Sequence, residues 1–246
     1  KLSVITINYN NAAGLEETIL SVINQDFTDF EYIIVDGGST DGSKEVIKKY
    51  EDKITFWVSQ KDRGIYNAQN KGLDEATGEY CLFINSGDKI ADKNVFKQIF
   101  SKAGNHDIIY GDMMIDRGKG NIERGKMPDQ ISFYQMISDT LWHPVSFIRK
   151  KLFDKYGKYN EKYKITADYD FFFKTLIMHN ASHQHISLPV AVFRLDGISS
   201  DKKYKELEKN ERAMVLRSYL PDKVVEFAEE IHRGELIKRK NIFHRI

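Results

Sequence analysis

The chain has 246 residues, 41% of them hydrophobic, enough for one large domain with a substantial core, and its 37 basic and 36 acidic residues leave a formal net charge of +1. A nucleic-acid partner is therefore not expected, because such domains are strongly basic, and no run approaches the roughly 18–20 apolar residues of a membrane span. The single cysteine, Cys81, excludes an intrachain disulfide and reads as a small buried hydrophobe, which with the lack of a charged-then-apolar leader predicts a reducing, cytoplasmic setting.

Four short apolar runs, at 2–7, 32–35, 54–58 and 80–84, are bounded by turn residues and rich in β-branched or aromatic types, as strands are. Between them, Leu15, Ile19, Val22 and Ile23 share one helical face, and Val46, Ile47 and Tyr50 repeat that spacing. This alternation predicts an α/β fold: a mostly parallel sheet with right-handed crossovers and helices on both faces. The second half offers a strand at 108–110, a Gly- and charge-rich loop at 117–126 and a segment at 143–148. A helix over 167–179 and a strand over 189–195 follow. From Asp201 the pattern is helical and charged, with Leu207, Met214, Val215, Val224, Val225, Phe227 and Ile231 as its apolar positions. The organisation expected is a domain over 1–200 and a charged helical extension over 201–246.

In parallel sheets ligands bind at the carboxyl ends of the strands. Here those ends are polar: Asn8 to Asn11, Asp36 to Asp41, Ser59 to Gly64 and Asn85 to Asp88. The second loop is not a P-loop, because Gly42-Ser43-Lys44 lacks the Gly-Lys-Ser/Thr order, and no Gly-x-Gly-x-x-Gly occurs. What remains is a strand-end carboxylate, Asp36, able to accept from a base or ribose, a glycine turn, and Ser39 and Asp41 placed to cap the next helix. A turn with a helix cap explains the same residues.

The order of the pieces carries more. Val4 to Asn10, Ser21 to Gln25, Ile33 to Ser43, Asp62 to Gly72, Ala76 to Tyr80 and Asn85 to Asp88, taken together, closely resemble the family 2 glycosyltransferases, whose GT-A fold binds nucleotide sugars. The resemblance covers roughly residues 1–200. It implies an inverting glycosyltransferase that moves a sugar from a nucleotide diphosphate sugar, a UDP-sugar by preference, to a hydroxyl of a glycan or lipid-linked acceptor in polysaccharide synthesis.

By position, Thr6, Asn8, Asn10 and Asp36 match residues that line the nucleoside pocket, and Asp62, Arg63 and Asn70 the stretch that closes over base, ribose and phosphates. After the fourth strand the family usually carries Asp-x-Asp, whose carboxylates hold Mn²⁺ or Mg²⁺ against the diphosphate. In this chain Asn85 and Gly87 stand in those places, so Asp88 is expected at the metal and Asn85 at a ribose or sugar hydroxyl. Asp168, in Thr166-Ala167-Asp168-Tyr169-Asp170, matches the family's base, although either Asp168 or Asp170 also suits a helix amino terminus. His143 aligns with a family histidine that faces the diphosphate, the metal or the acceptor, and a structural histidine fits equally. Asp112 is a further strand-end carboxylate with an acceptor-facing reading.

The stretch 233–245 carries five basic residues and one acidic residue, Glu235. This predicts either a solvated helix or peripheral contact with an anionic inner-membrane surface. Two other classes stay open. A catalytically degenerate nucleotide-sugar or glycan-binding module would keep the loops without turnover. A nucleotidyltransferase would need an early Gly-rich loop with Arg and Lys, which is absent from the sequence.

Overall fold

The amino-terminal strands are buried on both faces, and this dictates how the rest wraps around them. In the computed structural model, which describes residues 2–118, 120–195 and 201–230, every residue of the first strand, β1 (Leu2–Asn8), is buried. Its odd and even positions feed two separate clusters, Ile5 and Ile7 on one side and Leu2 and Val4 on the other. A strand sandwiched in this way needs helices on both faces. They come from α1 (Ala12–Ile23), β2 (Phe30–Asp36), α2 (Ser43–Lys49), β3 (Phe56–Ser59), α3 (Ile65–Glu75) and β4 (Tyr80–Phe83), in chain order. β3, β2, β1 and β4 lie side by side and parallel, with Asn8 paired to Asp36 and Asp36 to Ser59.

The second half is mixed. It comprises β5 (Lys89–Ile90), α4 (Val95–Lys102), β6 (Ile108–Asp116), β7 (Ile122–Gly125), α5 (Phe133–Ser138), β8 (Ser146–Arg149), α6 (Lys150–Tyr156), α7 (Ala167–Phe172), β9 (His183–Arg194) and α8 (Lys205–Tyr219). β8 runs antiparallel to β4 and β6, so the sheet continues as β4-β8-β6-β9-β5. The Gly- and charge-rich loop expected at 117–126 is a hairpin instead, because β7 pairs back onto the end of β6. Parallel pairing thus dominates only where helical crossovers are long enough to allow it.

The helix expected over 167–179 is α-helical only to Phe172 and continues as a π-turn over Phe173–Met178. Phe171, Phe172 and Phe173 are all buried, and Thr175 Oγ1 donates back to the Phe171 carbonyl at 2.8 Å. An extra residue in the turn lets three consecutive phenyl rings reach the core. The tail expected as an extension packs inward: Val215, Leu216, Val225 and Ala228 belong to the same cluster as these rings. The basic stretch 233–245 lies outside the described residues.

Within the second half, β6 and β9 pair through a parallel ladder whose register shifts around Gly111. A Cβ there would lie 2.6 Å from the Leu188 carbonyl oxygen and 2.6 Å from Val190 Cγ2. Backbone cannot yield cheaply, so Gly111→Ala is expected to lower unfolding stability by about 1–3 kcal/mol, measured by urea denaturation with unchanged slope.

Candidate active site

The polar strand ends converge where β1, β2 and β4 stop. Asp36 is fully buried and accepts five hydrogen bonds, from Asn8 Nδ2 (2.7 Å), Ser39 Oγ (2.5 Å), Ser59 Oγ (2.6 Å) and the backbone N–H groups of Gly38 and Ser39. Burial pushes its pKa up, but the hydroxyl and amide donors outweigh burial and hold the carboxyl below the usual range. Both oxygens are in use, so Asp36 builds the loop rather than presenting a bare carboxylate. Ser39 serves Asp36 and the Asn10 N–H and does not cap the next helix. Asp41 does bond the Ser43 N–H and hydroxyl at the start of α2, and it also takes the Ala12 N–H at the start of α1.

Around this loop, Asn10 adopts a left-handed φ of 49° and accepts from the Thr40 N–H. Tyr9, between Asn8 and Asn10 in the chain, is 68% exposed, an aromatic face open at a strand end. A Cβ on Gly37 would meet Asp62 Oδ2 at 2.6 Å and Tyr9 Cδ2 at 3.2 Å, so Tyr9, Gly37 and Asp62 form one cleft. Thr6 lies below, buried and bonded to the Tyr32 hydroxyl at 3.0 Å, away from the open strand ends. Arg63 is exposed and paired with Glu161 at 2.7 Å.

α3 presents a buried polar face to the second half. Asn70 Nδ2 donates to the Tyr159 carbonyl and to Glu161, while its Oδ1 accepts the Tyr159 N–H, so the whole amide staples the 159–161 loop. Asn67 also donates to Glu161, and Gln69 Nε2 reaches Asn85 Oδ1 at 3.4 Å. Tyr66 donates to Asp168 Oδ1 at 2.9 Å and to the Ile165 carbonyl at 2.5 Å.

The 85–88 segment turns through Gly87 at φ 103° and is tied to α1 by Thr18, whose hydroxyl accepts the Gly87 N–H and donates to the Asp88 carbonyl. Asp88 is buried and its Oδ1 accepts the Arg194 N–H at 3.1 Å. Among the described residues no group of three or more His, Cys, Asp or Glu is placed to hold a metal. The one carboxylate of this turn fits only a cation that brings its other oxygen ligands from phosphate and water.

Asp168 stands in the first turn of α7, partly exposed. Burial pushes its carboxyl above the usual aspartate range, against the lowering effect of the Tyr66 hydroxyl and the Tyr169 N–H. Asp170 is buried and takes the Tyr219 hydroxyl at 2.7 Å. Asp112, expected to face an acceptor, is fully buried between Arg124, His185 and the Met127 N–H.

Of the readings open for His143, the geometry fits the structural one. Its ring stacks on Phe83 with centroids 4.7 Å apart, Nε2 meets the Tyr159 hydroxyl at 2.7 Å, and burial lowers its pKa to about 3. Residues missed from sequence are Tyr9, Tyr66, Gln69, Glu161 and Glu211. All but Glu161 and Glu211 fall inside the motif stretches, and Tyr9, an aromatic between two asparagines, carried a readable signal.

Residues 3–174 match the family described as glycosyl transferase family 2. The PGL/p-HBAD biosynthesis glycosyltransferase of Mycobacterium bovis BCG is 30% identical over 175 residues, 69% of this chain and 67% of that protein. The fold is similar to S. aureus TarS residues 1–349 in complex with UDP-GlcNAc, with a TM-score of 0.70 at 22% identity, covering 96% of this chain and 71% of that one. Against the longer TarS chain, this chain spans 42% of the length. The mannosyltransferase PcManGT of Pyrobaculum calidifontis, in complex with GDP-Man and Mn²⁺, gives a TM-score of 0.60 at 18% identity over 87% of this chain and 61% of that one.

A histidine whose folded pKa lies below its unfolded value of about 6.5 binds its proton more tightly when unfolded. Its contribution is therefore complete above that pH and is lost as pH falls toward the folded value of about 3. His143→Gln is expected to flatten the loss of unfolding free energy between pH 6 and 4 by up to about 1.4 kcal/mol per pH unit, read from urea titrations across that range.

Proposed function

Because the chain belongs to glycosyl transferase family 2, we propose that it is an inverting enzyme that transfers a sugar from a UDP-sugar to a hydroxyl of a glycan or lipid-linked acceptor. The setting proposed is cell-surface polysaccharide synthesis at the cytoplasmic side of a membrane. Among the described residues no helix is long and apolar enough to cross a membrane.

The observation that carries the reading is Asp168. It is a partly exposed carboxylate at a helix start whose pKa is raised by burial, as suits a group that must take a proton near neutral pH. As the acceptor oxygen attacks the anomeric carbon, its proton passes to Asp168. The bond from that carbon to the diphosphate oxygen breaks on the opposite face, and the diphosphate leaves with the electron pair. The Tyr66 hydroxyl, on Asp168 Oδ1, holds the carboxylate in one orientation.

On the donor side, the exposed Tyr9 ring and the loop organised by Asp36 suit a nucleobase and ribose. Asn8 Oδ1 and Gln69 Oε1 are buried acceptors without a partner among the described residues, and a uracil N–H or ribose hydroxyls are donors that match them. Asn10, Asp62 and Asn85 line the same loops, and Arg63 is exposed enough to exchange Glu161 for phosphate. Thr6, Asn70 and His143 support these parts from beneath. The fold likeness to a UDP-GlcNAc complex, closer than that to a GDP-mannose complex, favours uridine. A divalent cation, Mn²⁺ or Mg²⁺, would be held by Asp88 and would offset charge developing on the leaving diphosphate.

Asp168→Asn is expected to reduce sugar transfer at least about 100-fold while the dissociation constant for the UDP-sugar, measured by calorimetry, stays within about twofold. Transfer at wild-type rate would sink the assignment, and donor binding with no UDP release by the wild-type chain would leave a binding module. Asp88→Asn is expected to raise the Mn²⁺ concentration for half-maximal UDP release about tenfold or more. An unchanged Mn²⁺ titration would remove Asp88 from the metal.

A further inference from the structure

α8 lies beyond residue 174, where the family match ends, and its surface is mostly charged and exposed. Glu211 departs from that pattern. Its side chain is buried, and its carboxylate accepts the N–H groups of Lys164 (2.7 Å), Ile165 (2.9 Å) and Thr166 (3.1 Å) together with the Thr166 hydroxyl (3.2 Å). The next residue, Arg212, lays its guanidinium 4.0 Å over the Tyr169 ring and donates to the carbonyls of Met136, Ile137 and Asp139. Two turns later, Tyr219 donates to Asp170. These side chains grip the chain on both sides of Asp168, at 164–166 and 169–170, and none of them has a hydrogen bond to Asp168 itself.

We propose that Glu211 and Arg212 form a charge pair of opposing sign on α8 that positions Asp168 and tunes its proton affinity, acting as positioning residues rather than contacts of the substrate. The inference rests on Asp168 being the base. Glu211 fixes Ile165 through its N–H, and the carbonyl of that same residue shares the Tyr66 hydroxyl with Asp168 Oδ1. A shift of the 164–166 segment therefore redistributes the one proton that Tyr66 can donate. The Arg212 guanidinium favours the ionised form of Asp168, whereas Glu211, bonded to the Thr166 N–H two residues before the base, is a charge of the opposite sign, which favours the protonated form. The other ionisable groups packed around this region are the Asp170 carboxylate, which takes the Tyr219 hydroxyl, and five tyrosines: Tyr66 and Tyr159 beside Asp168, Tyr163 between Asp170 and Glu211, Tyr169 beneath Arg212, and Tyr219 on Asp170. Burial raises the pKa of all five tyrosines, so they stay neutral through the acid limb, and Asp170 is common to the wild type and both variants.

The test compares the acid limb of the kcat-against-pH profile for the wild type, Glu211→Gln and Arg212→Met, using the full chain and a saturating UDP-sugar. Glu211→Gln is expected to move the limb to lower pH and Arg212→Met to higher pH, each by about half a unit, the size expected of charges held beyond direct contact. A loss of folded protein lowers the amplitude of both profiles without moving either midpoint, so opposite shifts cannot come from instability. If Glu211→Gln fails to fold, Arg212→Met carries the test alone. Midpoints that coincide with the wild type, or that move in the same direction, overturn the proposal. Asp168→Asn separates the two readings: if it is inactive while the midpoints stay fixed, the base stands and the pair falls; if it is active, the base itself is wrong.

Discussion

The arrangement depends on the burial of a polar helix face. α3 buries Tyr66, Asn67, Gln69 and Asn70 between the two halves of the molecule. A buried amide or hydroxyl left without a partner costs about 1–3 kcal/mol, so these side chains dictate where their partners must lie. Those partners are the 159–161 loop, the Ile165 carbonyl, Asp168 and Asn85. The second half is consequently docked by hydrogen-bond geometry, which is directional, as well as by apolar contact, which is not. That directionality fixes the strand-end turn at 85–88 and the start of α7 against a common element, as the proposed transfer between two bound molecules requires.

Two carboxylates of the candidate site, Asp36 and Asp168, are set apart by the same logic of satisfaction. Asp36 receives five donors and is held ionised, so its charge is spent on shaping the loop. Asp168 receives the Tyr66 hydroxyl and one N–H, too few to offset burial, so its proton affinity rises. Opposite shifts from opposite environments set the loop-building Asp36 apart from the proposed base, Asp168, without any difference in residue type.

The parallel half was legible because its strands are sandwiched and its helices amphipathic, so periodicity and burial agree from Leu2 to Phe83. The strand-end loops were legible for the same reason, since topology alone places them. What sequence concealed were interactions that invert the usual reading of a residue type. Asn70 matches a stretch that closes over the nucleotide, yet its amide is spent on the backbone of Tyr159, to which it is complementary. Sequence left His143 open between a ligand-facing and a structural histidine, and only the fold shows the three aromatic rings and one hydroxyl that surround it and make the neutral form the stable one. Glu211 lies 43 positions from Asp168 on a helix that otherwise looks solvated, and no local pattern marks it as the acceptor for the 164–166 segment.

These inversions share a cause. A polar side chain is buried where the backbone it faces has unsatisfied donors or acceptors, and a segment that must be irregular to present a functional group has many of them. The 159–170 stretch is such a segment, held by Asn70, Tyr66 and Glu211 from two helices remote in sequence. Irregular backbone needs side chains from elsewhere to complete its hydrogen bonds, so the residues that stabilise a reactive loop are expected far from it in sequence. The proposed base, Asp168, is therefore readable from its neighbours in the chain, whereas its supports become visible only once the chain is folded.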